Sequence, residues 1–402
     1  MFRWIALCLV FASPLMAQEF SALARVDVAQ SQLRDDGDGL ALDLHLNLAV
    51  PYRVFTLDDP CRVVLDFREV DWQGASRAAL LNADNATDLR FGPLRPGWSR
   101  MVIDLASPMA VTEAGMQVDT DTGLALLRLV LVPVLAADFA ARAGAPVDQG
   151  WAELAVTDPT QAVPPVEDGP LVVAIDAGHG GIDPGAQRAG VREADLMLAL
   201  AFDVAEAINR TGSMRAILIR DADFFVPLEE RMTRARSAGA DAFISLHADA
   251  LEVGGARGAS VYTLSKEAVD GASTRMAERH ERGDLLAGLD LSGQDDRVAS
   301  VLMDLARLET GPEGTRLADA LVRGMGQAGV RMNSRPRRMG KLAVLNAPDF
   351  ASVLIEVGFL SSDADRAALT SADGRAAVAT GIASGLTEWA DAEAARAPLV
   401  RQ

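Results

Sequence analysis

A chain of 402 residues is longer than a single hydrophobic core usually organises, so its length points to two or three domains. Half of the residues are hydrophobic and 23% are charged, a balance that supports packed interiors and excludes a disordered or fibrous chain. Thirty-eight basic against 56 acidic residues leave a formal charge of -18, which repels phosphate backbones and argues against a nucleic-acid partner.

Residues 1–17 carry Arg3, an apolar run from Trp4 through Phe11, and small residues ending at Ala17. That is the layout of a signal peptide, so the mature protein is expected to be soluble, exported and periplasmic. The apolar stretch is shorter than the roughly 20 residues that a bilayer requires, and no later stretch of that length lacks charges, so no membrane span is expected. Of the two cysteines, Cys8 falls in the segment to be removed, which leaves Cys61 alone and no intrachain disulfide.

From residue 40 to 48 the alternation is strict. Leu40, Leu42, Leu44, Leu46 and Leu48 share one side, and Ala41, Asp43, His45 and Asn47 the other. This pattern predicts a half-buried strand with His45 exposed and not a ligand. Short apolar runs follow at 63–67, 101–105 and 124–134, punctuated by Asp36-Gly37-Asp38-Gly39, Pro60, Gly92-Pro93 and Pro96-Gly97. Residues 22–136 thus read as a small all-β domain. Ala, Gly, Pro and acidic residues dominate 137–169, which reads as a linker.

Beyond Pro170 the texture changes to strands alternating with helices. The run 171–175 is continuously apolar and ends at Gly178, Gly180 and Gly181, as a buried strand entering a tight loop does. Glu193 opens a helix with Leu196, Leu200, Val204 and Ile208 at a spacing of four, closed by Thr211-Gly212. Strands are expected at 216–219, 242–246, 260–264 and 353–357, and helices at 227–238, 315–328 and 375–390. The fold class is therefore an α/β domain over 170–392, an open twisted sheet flanked by helices, preceded by the small all-β domain.

Three polar residues follow buried strands, where side chains at the carboxyl ends of an open α/β sheet converge on one crevice. They are His179, His247 and Glu356. Only four histidines occur in the chain, so two in such positions are informative. Glu193 is the nearest further carboxylate, and the loop from 180 to 191 can fold it back toward His179. Two imidazoles and one carboxylate form a catalytic zinc set with a position left for water. Spacing alone leaves both metal binding and ordinary polar loop residues open, because no local helical pair of histidines is present. The glycines at 178, 180 and 181 lack the Lys-Ser/Thr ending of a phosphate loop and read as close backbone approach.

The segments Ile175-Asp176-Ala177-Gly178-His179-Gly180-Gly181-Ile182-Asp183-Pro184-Gly185-Ala186, then Glu193, then Ser245-Leu246-His247-Ala248-Asp249, then Leu354-Ile355-Glu356-Val357-Gly358-Phe359-Leu360-Ser361 resemble, in this order, the zinc-dependent N-acetylmuramoyl-L-alanine amidases of bacterial cell walls. The resemblance covers about 171–389. It implies one zinc ion held by His179, Glu193 and His247, with Glu356 as the acid/base. The bond broken would join the lactyl group of N-acetylmuramic acid to the L-alanine of the stem peptide in peptidoglycan. Asp176 and Asp249 are candidates for orienting the histidines from behind, with plain structural hydrogen bonding as the alternative.

About fifty residues separate the strand near 264 from the helix near 315, long for a connection in a compact domain. The regulatory insert is placed at about 265–311. Asp296 can cap an amphipathic helix carrying Val298, Val301, Leu302, Leu305 and Leu308. In the division-associated branch of the resembled family, a corresponding insert plugs the site with a Glu on the zinc until a protein activator removes it. Here His280 aligns best with that Glu and Glu281 stands beside it, so an autoinhibited enzyme with either as displaceable ligand is expected.

The stretch from Tyr52 to Phe67 makes the β domain similar to the AMIN domain that accompanies these amidases, which implies targeting to septal peptidoglycan. Arg331, Arg335, Arg337, Arg338 and Lys341 form a basic run, either a solvated loop or a contact for stem-peptide carboxylates. The expected function is a peptidoglycan amidase acting in daughter-cell separation. A zinc peptidase cutting within stem peptides and a catalytically silent wall-binding scaffold are the alternatives.

Overall fold

The computed structural model describes residues 24–68, 70–95, 97–119, 122–145, 169–250, 256–265, 297–345 and 350–400. The expected signal peptide, His280, Glu281 and Asp296 lie outside the described residues.

The N-terminal region contains β1 (Ala24–Arg25), β2 (Gln32–Asp36), β3 (Gly39–Leu46), β4 (Tyr52–Leu57), β5 (Arg62–Arg68), β6 (Val70–Asp71), helix α1 (Arg77–Leu80), β7 (Leu81–Asn82), β8 (Ala86–Arg95), β9 (Trp98–Leu105), β10 (Met109–Val118), β11 (Ala125–Pro133) and helix α2 (Ala136–Ala140). Two sheets dominate it, ordered β10-β11-β3-β2-β7 and β4-β5-β9-β8. Their facing side chains form one core, with Leu40, Leu42, Leu44 and Leu46 from the alternating strand packed toward Val63, Leu65, Phe67, Met101 and Ile103. On the outer face of β3, Asp43 pairs with Arg128 across the ladder and His45 is half-buried. Helix α2 falls within the stretch expected as linker. Its Phe139 seats in the sandwich core, so the β domain continues past residue 136.

The second domain contains β12 (Leu171–Ala177), the short pair β13 (Gln187–Arg188) and β14 (Val191–Arg192), α3 (Glu193–Asn209), β15 (Met214–Leu218), α4 (Leu228–Ser237), β16 (Ala242–His247), β17 (Ala259–Leu264), α5 (Arg297–Gln327), β18 (Met332–Gly340), β19 (Ala351–Glu356), α6 (Asp363–Thr370) and α7 (Ala372–Val400). The main sheet runs β15-β12-β16-β19-β17-β18. The first four of these strands are parallel, and β17 is antiparallel to β19. Val173, Ile175 and Ala177 face α3, α5 and α7 on one side of the sheet, while Ala174 and Phe243 face α4 on the other. Burial on both faces is why these strands read as unbroken apolar runs.

Two expectations change here. The basic run is only in part a loop: Arg335, Arg337 and Arg338 lie on the edge strand β18, with Arg331 and Lys341 just outside its ends, and Arg337 pairs with Asp319 of α5. Charged side chains and Pro336 suit an edge that must not recruit another strand. The amphipathic stretch after Asp296 and the helix expected at 315–328 are one element, α5, which runs through Pro312.

Candidate active site

Three neighbouring strands deliver the site from their carboxyl ends. β12 leads into His179, β16 ends on His247, and β19 ends on Glu356. His247 and Glu356 are directly opposite in the parallel ladder, which fixes their mutual placement by sheet register alone. Glu193 arrives by another route. The β13–β14 hairpin turns through Ala189 and Gly190, both with positive φ (52° and 78°), the geometry of a tight two-residue hairpin turn. It returns the chain so that α3 begins at Glu193, whose backbone N–H donates to Ala186 O.

The three candidate ligands meet. His179, Glu193 and His247 each offer a ligand atom, and all three atoms lie within 4.8 Å of one another. His179 Nε2 is 3.2 Å from Glu193 Oε1, His247 Nδ1 is 3.1 Å from the same oxygen, and the two rings stand edge to face at 4.9 Å. Glycines make the space: a Cβ on Gly178 would lie 2.2 Å from the His247 ring, and one on Gly185 would lie 2.6 Å from the ring of His179 and 2.8 Å from Glu193 Oε2. Two imidazoles and a carboxylate converging in a cradle that no larger residue could line are a donor set that fits zinc.

The electrostatics separate the two glutamates. Burial disfavours the charged form of Glu193, but the charge of His179 and hydrogen bonds from both histidines outweigh it and hold the carboxyl well below the usual range. Ala186 and Ala248 also donate their backbone N–H groups to it, at 2.8 Å each. Glu356 is driven the other way. Burial and the neighbouring charges of Asp249 and Glu193 raise its carboxyl well above the usual range, against one backbone N–H from Asp249 at 3.0 Å. His247 is pushed down by burial, whereas His179 is held up against burial by Asp183 and Glu193.

The supporting residues differ in part from those expected. Asp176 does not touch a histidine: its carboxylate accepts from Arg231 Nη1 and Ser245 Oγ, both at 2.7 Å. It acts through Arg231, which also donates to the backbone oxygens of Ala177, His179 and Val226. Asp249 presents its N–H to the carboxylate of Glu356 at 3.0 Å. The residue behind His179 is Asp183, whose Oδ2 lies 2.7 Å from Nδ1, so that Nε2 is the ring nitrogen turned toward Glu193. The sequence signal for it was the i, i+4 spacing inside the glycine-rich loop. Arg220, fully buried, donates to the carbonyls of Ala177, Gly178, Ala194 and Ala222, tying the glycine-rich loop around His179 to the start of α3.

With this geometry in hand, the sequence matches the N-acetylmuramoyl-L-alanine amidase family model over residues 173–388. The chain belongs to that family. Membership fixes the enzyme class as a hydrolase of the amide between N-acetylmuramic acid and L-alanine in peptidoglycan. The AMIN domain model matches residues 31–127, within the β sandwich. The amidase AmiC of Escherichia coli O6:H1 is 29% identical over 85% of this chain and 84% of its own length. The amidase AmiA of Escherichia coli K12 is 34% identical over 55% of this chain and 76% of its own. Among solved structures, the amidase AmiC2 of Nostoc punctiforme aligns with a TM-score of 0.41 at 26% identity, covering 55% of this chain and 97% of that one. No helix among the described residues of this amidase is long and apolar enough to cross a membrane.

Proposed function

We propose that the amidase holds one zinc ion on His179, Glu193 and His247 and uses Glu356 as its acid/base. The observation that carries this reading is the convergence of those three donors beside a buried carboxyl whose affinity for protons is raised. Zinc in that set supplies the Lewis acidity that polarises an amide carbonyl and lets water attack near neutral pH. Glu356 takes the proton of the attacking water and returns it to the departing nitrogen of L-alanine, a task suited to a carboxyl whose pKa is raised above the usual carboxylate range. Asp183 fixes the tautomer of His179, so that Nε2 keeps its lone pair for the metal. Arg220 and Arg231 hold the backbone of the metal loop by their hydrogen bonds to its carbonyls.

The enzyme acts after export to the periplasm, where it severs stem peptides from glycan strands during daughter-cell separation. The insert at 265–311 keeps it silent, with His280 or Glu281 as the displaceable ligand, until a protein activator withdraws the insert. What supports this part is the family resemblance and the length of the connection.

Digestion of purified peptidoglycan tests both levels. The zinc-loaded chain is expected to release intact stem peptides with a free N-terminal alanine, and a chelator to stop release until zinc is restored. Removal of residues 270–305 is expected to raise the basal rate. Peptides cut internally would replace the amidase reading by a peptidase, and an unchanged or lower rate in a folded deletion would remove autoinhibition.

A further inference from the structure

The sheet β4-β5-β9-β8 is unusual within its own domain. An antiparallel sheet normally covers one face and leaves the other to solvent, as the outer face of β3 does with Asp43 and His45. Here every residue of β5 from Arg62 to Phe67 is buried. Val63, Leu65 and Phe67 fill the sandwich core, so Val64 points away from it, and so do Phe55, Leu57 and Val102 on the flanking strands. The apolar part of this second face lies beside the Asp66–Arg100–Arg53 cluster, and what covers it is the catalytic domain. Ile182 and Phe225 close a cluster with those four side chains.

Ile182 belongs to the metal loop, three residues after His179 and one before Asp183. Its backbone N–H donates to Pro93 O of β8 at 3.1 Å. The two backbones touch through glycines. A Cβ on Gly181 would lie 1.8 Å from Pro93 O, and a Cβ on Gly92 would lie 3.1 Å from Gly181 and from Ile182 N, with nothing of its own domain nearer. A glycine inside a strand commonly marks the close approach of another backbone. Gly92 lies mid-strand, paired with Arg100, and takes no left-handed φ, so neither a turn nor strain explains it.

We propose that the outer face of this sheet is the seat of the metal loop, and that the β domain braces His179 in place as well as carrying the enzyme to its substrate. The face is the positioning surface and the partner is the Gly180–Asp183 segment of the same chain. Bracing rests on the zinc reading of the proposed function; docking itself does not. The loop is held on one side by the Arg231 and Arg220 donors of its own domain, and on the other by Pro93 and the apolar seat.

The test uses the full chain and Gly92→Val. Valine favours a strand, and the three atoms nearest to its Cβ all belong to the Gly181–Ile182 backbone, so the substitution is aimed at the seat and not at the β domain. Hydrogen exchange at the Ile182 amide is read first. Wild-type protection that falls at least tenfold in the variant, with the amides of Val63 and Leu65 unchanged, supports docking. Loss of zinc to a colorimetric chelator is read second, and release about tenfold faster supports bracing, the scale seen when the support behind metal ligands is removed. Phe55→Ser, which opens the same seat from another strand, must reproduce both changes and serves if Gly92→Val disturbs its own domain. An Ile182 amide already exchanging freely in the wild type overturns docking. Protection lost in both variants with zinc release unchanged overturns bracing. A wild-type chain that holds no zinc removes the metal reading, while the amide result still decides docking.

Discussion

Buried carboxylates do opposite things in the two domains. In the β sandwich, Asp66 is 1% exposed and sits between Arg100, at 2.5 and 3.0 Å, and Arg53, at 2.7 and 2.8 Å. Burial disfavours its charge, but the two guanidinium groups outweigh burial and hold the carboxyl below its usual range. In the catalytic domain, Glu356 is as deeply buried and faces the charges of Asp249 and Glu193, so it is driven above its usual range. A carboxylate neutralised by two cations has one protonation state at any working pH and serves structure. One crowded by like charge is poised to exchange a proton and serves chemistry. The pair Glu193 and Glu356 repeats the contrast within one crevice, one carboxyl pushed down and the other pushed up, as the proposed roles of ligand and acid require.

The sharpest break of that contrast is Glu356→Gln. It keeps the shape and removes the proton exchange, so amide hydrolysis should fall about 10²- to 10⁴-fold with zinc content unchanged. Rates of stem-peptide release, with elemental analysis of the same preparation, check it. A variant retaining wild-type rate would remove Glu356 from the acid/base role. Next in size, Asp66→Ala leaves Arg100 buried without its counter-charge and should cost the β domain about 3–5 kcal/mol, read from denaturant unfolding. A loss below 1 kcal/mol would mean that solvent reaches the cluster. Smaller again is Asp183→Asn, which weakens the support of His179 and should lower zinc affinity about 10- to 100-fold in competition with a chelator. Unchanged affinity would show that Asp183 merely shapes the loop.

How far this contrast was legible beforehand depends on whether the deciding interaction is local. The strict alternation of Leu40 to Leu48 and the spacing-four apolar positions of α3 report burial that each segment settles for itself, and both elements are present, the strand ending at Leu46, two residues before the pattern does. His179, His247 and Glu356 were visible because polar residues following apolar runs are themselves a local signal. The Asp66–Arg100 pair was not, since 34 residues separate partners that only strand pairing brings together. For Asp176 the sequence leaves histidine support and structural hydrogen bonding open, and what decides for the second is Arg231, 55 residues away. Helix α6 was missed although Ser362 caps it by accepting from the N–H of Asp365, a signal that was present in the chain and outweighed by its polar composition. Strand β18 carries so many charges that it read as a loop, and its strand character comes from pairing with β17.

The gentlest test of the comparison is the pH dependence of stability in the metal-free protein, because the two carboxyls should bend the curve in opposite directions. Asp66 has a folded pKa below the 3.8 of the free side chain, so the folded state binds fewer protons than the unfolded one in that interval. Its contribution is complete above that value and disappears as pH falls through the folded pKa. Glu356 has a folded pKa well above 4.5, so above 4.5 the folded state binds more protons and stability declines as pH rises through the folded value. Glu356→Gln removes this decline. The metal-free variant should therefore gain on the wild type by about 1.4 kcal/mol per pH unit above 4.5, levelling off at the folded pKa, and show no advantage below 4.5. Urea unfolding at a series of pH values measures the difference directly. Parallel curves would mean that Glu356 is ionised in the fold without penalty, and the carboxyl given the proton-transfer role would then be electrostatically no different from Asp66.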